Sequence, residues 1–515
     1  MTMKRRTVLL SGLAGSLGLA APTIFAGPAA GQEVRAGRVR VAILDDMNNF
    51  DPMAFSTVNF PLIKNFYDSL IEYTPAGEAV PSLATAWQIA SDNTSVTLTL
   101  RQGVKFHSGT ALTAEAVTAT LRKAADPQKG KNVYPTMSVV RDWTVVNENT
   151  LRINFSTRVP DRQITDLLQF ISVIDPAGID TIETRPAGTG AYTLAERVVG
   201  QRIRLAANPN YWRERQPVSS EVVIQVFSDD AAASAALESG AVDIIYGGTS
   251  RSAVRLRAAG YQLFQGPGPL VQVFRINSTR GPFRNAKFRQ AFNFLMDREG
   301  ILRVGYAGLG QVTALPWAPN SPAADPSYNT RFAYNIDRGK ALITESGVSA
   351  QEASDWTLLV NGGDQSSVTI SQIAQSSLQR AGVNIQLDIK QGAEFVDALL
   401  NGRFAAVFGA IGNIQKFPTR VTTNSIYRTA NNPILGNPNP HTDYVAAIER
   451  VNSAFGSGAE VRAAYDNLNR ALVEAAFAIP TNTYDTGLIV TARNVGGITL
   501  DIDNMLVART IGFTR

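Results

Sequence analysis

One stretch of the sequence, residues 405–442, combines basic and amide side chains and contains no Asp or Glu. Its polar residues include Lys416, Arg420, Arg428, Asn413, Asn424 and Tyr427. The planar guanidinium of arginine donates two parallel charge-assisted hydrogen bonds to a carboxylate. A buried amine would find no counter-charge here, whereas an anionic ligand would. The stretch predicts contacts to a carboxylate-bearing small molecule from Arg420, Asn424 and Tyr427; the alternative is that Arg420 is a solvated surface residue, as most arginines are.

Five further residues are candidate ligand contacts because of their place beside predicted strands or their apolar bulk. Phe50 and Thr57 follow the first predicted strand, and ligands of open α/β lobes bind beyond strand ends. Tyr246 follows another predicted strand. Trp317 and Tyr484 offer apolar walls, although most aromatic side chains simply belong to cores.

The composition argues against enzymatic chemistry. The chain has no cysteine, which excludes thiolate nucleophiles and Cys-based metal sites. Its 2 histidines, His107 and His441, are far apart, which argues against a His-rich zinc site. We find no GxSxG, SxxK or HExxH motif. We therefore predict a protein that is not an enzyme, with an exported hydrolase as the remote alternative. No cofactor is expected, and a metal ion would arrive only within a chelating ligand.

The N-terminus has the order of a secretory signal. Basic residues Lys4, Arg5 and Arg6 precede an apolar run at 8–21, and small residues follow at 26–30. The arginine pair is typical of twin-arginine export. The run is shorter than the ~20 residues of a membrane span. We predict a signal peptide over 1–30 and a periplasmic protein that is not membrane-embedded, free of a lipid anchor because no lipobox cysteine exists.

Removing the signal peptide also removes most of the positive charge. The chain carries a net charge of +5, and Lys4, Arg5 and Arg6 account for +3 of it, so the mature chain is near +2. There is no basic tract elsewhere of the kind that binds nucleic acid. We therefore expect no nucleic-acid partner.

Predicted strands and helices alternate along the chain, which indicates the α/β class. Period-two or apolar β-branched patterns predict strands over 39–44, 95–102, 150–155, 201–206, 221–227, 242–245 and 384–389. Helical spacing predicts helices over 59–71, 113–125, 231–238, 283–296, 370–381 and 461–477. Residues 431–440 are predicted to form a loop.

Six motifs occur in an order that resembles the family 5 extracellular solute-binding proteins, the oligopeptide, dipeptide and nickel class. They are VPSLATAW (80–87), SVTLTLRQGVKFHSGTALTAEAV (95–117), PAGTGAY (186–192), NPNYW (208–212), ALESGAVDI (236–244) and RQA followed by DR (289–298). Two positions depart from the family pattern: Ala116 replaces an acidic residue, and Ala191 replaces a proline. We expect His107 and the glycines of PAGTGAY to be structural.

The resemblance implies a two-lobed periplasmic-binding fold with an extra inserted domain and a ligand cleft between the lobes. Lobe I is then expected to comprise residues 31–75, 190–275 and 486–515, with the extra domain inserted over 76–189. Lobe II is expected over 276–485. A cleft that closes around a ligand requires fixed partners for the ligand's charges.

The resemblance also implies the function of a periplasmic substrate-binding protein that delivers a solute to the membrane permease of an ABC importer, as a monomer. Peptide-binding relatives carry a GW…DxxDP pattern whose aspartate receives the peptide amino group, and this chain lacks that aspartate over 404–427. The placement of Arg420 and Asn424 is similar to that in relatives that bind metal–metallophore complexes. We therefore predict a carboxylate-bearing anionic solute, such as a metal chelate or an opine-like compound; the alternative is a di- or oligopeptide.

Overall fold

The structure, a computed structural model, describes residues 36–514 apart from 48, 55–59, 75–76, 267, 269, 413–417, 423, 456–457, 486 and 501–505. The predicted signal peptide over 1–30 and the candidate contact Thr57 therefore lie outside the described residues.

Strands and helices alternate along the described chain. The strands are β1 (Arg38–Ile43), β2 (Ile71–Tyr73), β3 (Ala79–Pro81), β4 (Ala84–Ile89), β5 (Ser95–Leu100), β6 (Val140–Asn147), β7 (Thr150–Phe155), β8 (Tyr192–Val198), β9 (Arg202–Ala207), β10 (Glu221–Val226), β11 (Ile244–Tyr246), β12 (Gln262–Phe264), β13 (Leu270–Ile276), β14 (Gln311–Val312), β15 (Thr357–Asn361), β16 (Gln386–Lys390), β17 (Ala406–Ile411), β18 (Ala478–Tyr484), β19 (Ile489–Thr491), β20 (Val495–Gly496) and β21 (Gly512–Phe513). The helices are α1 (Phe60–Ile63), α2 (Ala114–Ala125), α3 (Tyr134–Met137), α4 (Asp161–Phe170), α5 (Asp230–Glu238), α6 (Ser250–Ala258), α7 (Ala286–Leu295), α8 (Arg298–Gly300), α9 (Ser327–Arg331), α10 (Ile336–Ser346), α11 (Ala350–Ser354), α12 (Gln365–Arg380), α13 (Gly392–Leu400), α14 (Thr442–Ser453) and α15 (Ala459–Ala475).

Lobe I is built on a sheet with the strand order β12-β19-β11-β1-β10-β9-β8. The central strand β1 is parallel to both β10 and β11, and its side chains Val39 and Val41 are fully buried. A second, antiparallel sheet has the order β4-β5-β7-β6. Leu98 and Leu151 of this sheet belong to the same continuous core as β1, so the two sheets fold as one body. Helix α2 covers the smaller sheet and begins at Thr113, whose side chain accepts a hydrogen bond from the backbone N–H of Ala116.

Lobe II is built on a mixed sheet with the order β14-β18-β13-β17-β15-β16. Neighbouring residues of its central strands point to opposite faces, as strand geometry requires. Val273 and Val407 pack in one core, and Phe274 and Phe408 pack in the other. Strand β13 (Leu270–Ile276) pairs with β17 and β18 of this sheet, although lobe II is expected to begin only at residue 276. The chain passes between the two large sheets from β12 to β13 and again from β18 to β19.

Two of the six motifs meet at one buried carboxylate, Asp68. It accepts hydrogen bonds from Thr189 Oγ1 at 2.8 Å, Tyr211 Oη at 3.0 Å and Trp212 Nε1 at 2.9 Å. Asp68 is 2% exposed, and its burial raises the pKa of this carboxyl. PAGTGAY and NPNYW are therefore joined through a residue that the sequence motifs did not include.

His107 has a structural position, as predicted. Its Nδ1 accepts a hydrogen bond from the N–H of Gly188, and its Nε2 lies 3.0 Å from the carbonyl oxygen of Gly190. Because Nδ1 accepts and Nε2 faces a carbonyl, the hydrogen bonds place the ring proton on Nε2, and burial lowers the pKa of His107. Gly190 is required here because a Cβ would lie 2.3 Å from the backbone carbon of Phe66.

The helix predicted over 59–71 is wrong beyond its first turn. The structure has only α1 and then turns into β2. The carbonyl oxygens of Asn65 and Phe66 accept hydrogen bonds from the N–H groups of Tyr192 and Gly190, and that of Asp68 accepts one from Val173. Because these carbonyls are used by distant residues, they cannot close helical turns, although the apolar spacing is helical.

Among the described residues, no helix combines the length and apolarity needed to span a bilayer.

Candidate ligand site between the lobes

Three predicted contacts lie on one turn beside the carboxyl end of β17. A 3-10 turn at Pro418–Thr422 places Arg420, whose carbonyl oxygen accepts a hydrogen bond from the N–H of Asn424 at 3.1 Å. The N–H of Tyr427 in turn donates to the carbonyl of Asn424 at 3.1 Å. The Asn424 side-chain amide reaches Gly412, just after β17, at 3.4 Å. The backbone thus brings Arg420, Asn424 and Tyr427 together beyond the carboxyl end of β17, where Tyr427 is fully buried and packs in the lobe II core.

Arg420 lies against the opposite lobe. Its guanidinium carbon is 4.6 Å from the ring centroid of Phe170, the last residue of α4. This is a cation–π distance. A second contact of the same kind joins Arg158 to Phe455, with 4.1 Å between the guanidinium carbon and the ring centroid. The lobes therefore approach each other along α4, and Arg420 is partly buried where they meet.

Asp166 is the carboxylate of this contact. It is 1% exposed, lies 3.2 Å from Arg162 and accepts a hydrogen bond from the Tyr73 hydroxyl at 2.8 Å. Burial raises the pKa of Asp166 to about 6, and the positive charges of Arg162 and Arg420 oppose that rise. Two guanidiniums thus act on this one buried carboxylate.

The structure adds Arg275, which the sequence reasoning missed. This residue lies on β13, and its Nη2 donates to the carbonyl of Ala410 on β17 at 2.8 Å. Burial lowers the pKa of Arg275 to about 10, while the nearby phenols of Tyr427 and Tyr484 act in the opposite direction. A signal was present in the sequence, because an arginine is the single charged residue in the apolar strand LVQVFRI.

Tyr246 and Tyr484 flank the second crossing between the lobes. Tyr484 is the last residue of β18, and its ring centroid is 4.7 Å from that of Tyr306. Tyr246 is the last residue of β11, and the next N–H, that of Gly247, donates to Leu488 at 3.0 Å. Both side chains are partly buried. Their roles as ligand contacts stay predictions.

Phe50 and Trp317 lie in the cores of different lobes and are not brought together. Phe50 is 1% exposed and packs edge-on against Phe66 at 5.5 Å. Trp317 is 2% exposed, and its Nε1 donates to the Asn469 side chain at 2.6 Å. Both have the contacts of core residues, so neither side chain reaches an open surface of the described structure.

No cluster of three or more His, Cys, Asp or Glu side chains within the described ranges could hold a metal ion. The charged residues that meet between the lobes are mainly arginines, which suit oxygen anions rather than metal ions.

The family model for bacterial extracellular solute-binding proteins, family 5 middle, matches residues 78–432. Among curated proteins, heme-binding protein A of Haemophilus influenzae is 24% identical over 383 residues, which cover 67% of this chain and 69% of that protein.

Two solved structures share the fold. NikA from Brucella suis in complex with Fe(III)-EDTA has a TM-score of 0.80 at 21% identity and covers 93% of this chain and 100% of its own. The periplasmic binding protein AgaA from A. tumefaciens R10 in complex with agropinic acid has a TM-score of 0.77 at 20% identity and covers 93% of this chain and 99% of its own. These similarities confirm the two-lobed α/β fold.

Proposed function

The chain belongs to the family 5 bacterial extracellular solute-binding proteins, and from that premise we propose that its solute is a small carboxylate-bearing anion, such as a metal chelate or an opine-like compound. Proteins of this family are substrate-binding components of ABC transporters. The proposal concerns which substrate this member takes and delivers to its permease.

The observation that carries the proposal is the position of Arg420. Its guanidinium stands at the contact between the lobes, across from Phe170, and its backbone carbonyl is hydrogen-bonded to the N–H of Asn424. A ligand enclosed by lobe closure must satisfy its charges with protein groups. The stretch 405–442 offers it no carboxylate and contributes Arg420 at the contact. An anion gains from this environment, and a cationic amine does not.

The ligands named in two related structures support the same chemistry. Fe(III)-EDTA and agropinic acid both carry carboxylates, and they occupy NikA and AgaA respectively. In a chelate the metal's ligands come from the chelator, which fits a chain with 2 histidines and no cysteine. The di- or oligopeptide alternative has support from peptide complexes with the same fold, such as AppA from Bacillus subtilis with a nonapeptide.

A thermal-shift screen of residues 31–515 tests the proposal. Its ligands are Fe(III)-EDTA, agropinic acid, other aminopolycarboxylate chelates, dipeptides and tripeptides. A ligand present at 100 times its Kd adds about 2.7 kcal/mol of stability. Stabilisation by carboxylate chelates or opines without stabilisation by peptides is the expected result. Stabilisation by peptides alone would replace the proposal with the peptide alternative.

We also propose that the twin-arginine signal exports the protein already folded. A fusion of residues 1–35 to a fluorescent reporter that must fold before export tests this route. Export of the reporter should stop when Arg5 and Arg6 are both changed to Lys, because that pathway reads the arginine pair. Absence of fluorescence in the periplasm with the unchanged signal would assign the general secretory route instead, and continued export of the double variant would show that the arginine pair is not what is read.

A further inference from the structure

Arg275 makes fewer hydrogen bonds than Arg289 and Arg298, the buried arginines of the RQA and DR motif. Arg289 and Arg298 each donate three hydrogen bonds to backbone carbonyls. Arg275 donates one, to Ala410, and among the described residues its Nε has no partner and no carboxylate lies within ion-pair distance. A desolvated guanidinium in this condition is unfavourable unless an anion reaches it.

The hydroxyl of Tyr427, a residue near Arg275, also lacks a hydrogen-bond partner among the described residues. Its side chain is 0% exposed, and its hydroxyl has no hydrogen-bond partner within the described part of the chain. The Arg275 charge acts on this phenol and opposes the rise in pKa that burial causes. A buried hydroxyl without a partner costs stability, and a ligand oxygen that accepts a hydrogen bond from it would remove that cost.

The neighbouring strand is shaped to hold Arg275 in this place. Gly409 of β17 lies under the guanidinium, and a Cβ there would be 2.6 Å from Nη2 and 2.8 Å from Nε. The guanidinium therefore lies flat across β17 toward its carboxyl end, where Gly412 meets Asn424. Arg275 and Tyr427 thus adjoin the turn that carries Arg420.

We propose that Arg275 and Tyr427 form a second anion subsite, in which Arg275 Nε and the Tyr427 hydroxyl donate to a carboxylate of the ligand. This inference rests on the proposed function and extends it. One carboxylate of the solute pairs with Arg420, and another lies on the lobe II sheet. The substrate class is then a compound with at least two carboxylates.

Calorimetric titration with Fe(III)-EDTA and with agropinic acid tests the subsite in Arg275→Met and Tyr427→Phe. Affinity should fall about tenfold or more in Arg275→Met and by a smaller factor in Tyr427→Phe. The melting temperature of both variants without ligand should stay equal or rise, because Tyr427→Phe removes a hydroxyl without a partner and Arg275→Met removes a guanidinium that makes a single hydrogen bond. A residue with a structural role would instead lower the melting temperature.

Two further variants serve as an independent test of the subsite and as a control. Gly409→Ala displaces the guanidinium without changing Arg275 and should weaken binding by a similar factor, even if Arg275→Met fails to fold. Arg428→Ala, an exposed change on the same segment, should leave affinity unchanged. Wild-type affinity in folded Arg275→Met and Gly409→Ala, with loss in Arg420→Ala, would overturn the subsite and keep the proposed function. Failure of wild type to bind either carboxylate probe would overturn both.

Discussion

Arg420 and Arg275 show how far residue types alone lead toward the site. The acid-free stretch 405–442 identified Arg420 because charge composition is visible in a sequence. Arg275 was not identified from the sequence, because its position depends on Gly409 of a neighbouring strand. Only the pairing of the strands places Gly409 beside it. Phe50 and Trp317 could not be told from core aromatics by type, and the structure places both in cores.

Replacing Arg420 tests the first of these residues. Arg420→Ala should cost about 2–5 kcal/mol of affinity for a carboxylate ligand, because a buried carboxylate would lose its charged partner. Calorimetric titration measures this loss, and Arg428→Ala is the matched control because Arg428 is exposed on the same segment. Equal affinity of Arg420→Ala and wild type would remove Arg420 from the site.

Asp166 should make stability depend on pH. Burial raises its pKa from 3.8 to about 6 in the folded protein, so the folded state binds this proton more tightly than the unfolded state does. Its contribution therefore favours folding below about pH 4 and is lost as the pH rises through 6. The free energy of unfolding of wild type minus that of Asp166→Asn should fall by about 3 kcal/mol across this window.

Denaturant unfolding at several pH values between 4 and 8 measures that difference. In the Arg420→Ala background the fall should extend to higher pH, because the Arg420 charge lowers the pKa of Asp166. A difference that rises with pH, or that does not change with pH, would contradict this account of Asp166.

The strands and helices were predictable where side-chain periodicity and burial agree. Along β5 and β7, buried side chains alternate with more exposed ones, as in a half-buried sheet. Helix α2 begins at its predicted cap, Thr113. The helix predicted over 59–71 failed because tertiary hydrogen bonds take its carbonyls. Helix α4, which carries Asp166 and Phe170 to the lobe contact, was not predicted at all.

Asp68 should be the residue on which the packing of these motifs depends. Asp68→Ala leaves three donors without their acceptor, the buried Thr189 hydroxyl and the partly buried Tyr211 and Trp212, and each such group costs about 1–3 kcal/mol. We expect a loss of more than 3 kcal/mol in the free energy of unfolding, measured with urea. Thr189→Val removes a single donor and should cost about 1 kcal/mol. Equal losses in the two variants would show that the shared carboxylate is not what joins the motifs.

At the scale of the molecule, the sequence motifs indicated two lobes but not how they meet. The order of strands in each sheet, the placement of β13 in lobe II and the crossings from β12 to β13 and from β18 to β19 follow from pairing between distant residues. The contact of α4 with the turn at Pro418–Thr422 also joins parts of the chain about 250 residues apart, as sequence positions show. When the lobes enclose a ligand, Arg420 must pair with a charge on that ligand. This requirement makes Arg420 selective for anionic ligands.

The most direct test of this account is a crystal structure of the protein grown with Fe(III)-EDTA and measured at the iron absorption edge. The account predicts an anomalous iron peak between the lobes, with a chelator carboxylate within hydrogen-bond distance of Arg420. Absence of an iron peak between the lobes would contradict it, most clearly if crystals grown with a peptide instead show the peptide's amino group facing the turn at Pro418–Thr422.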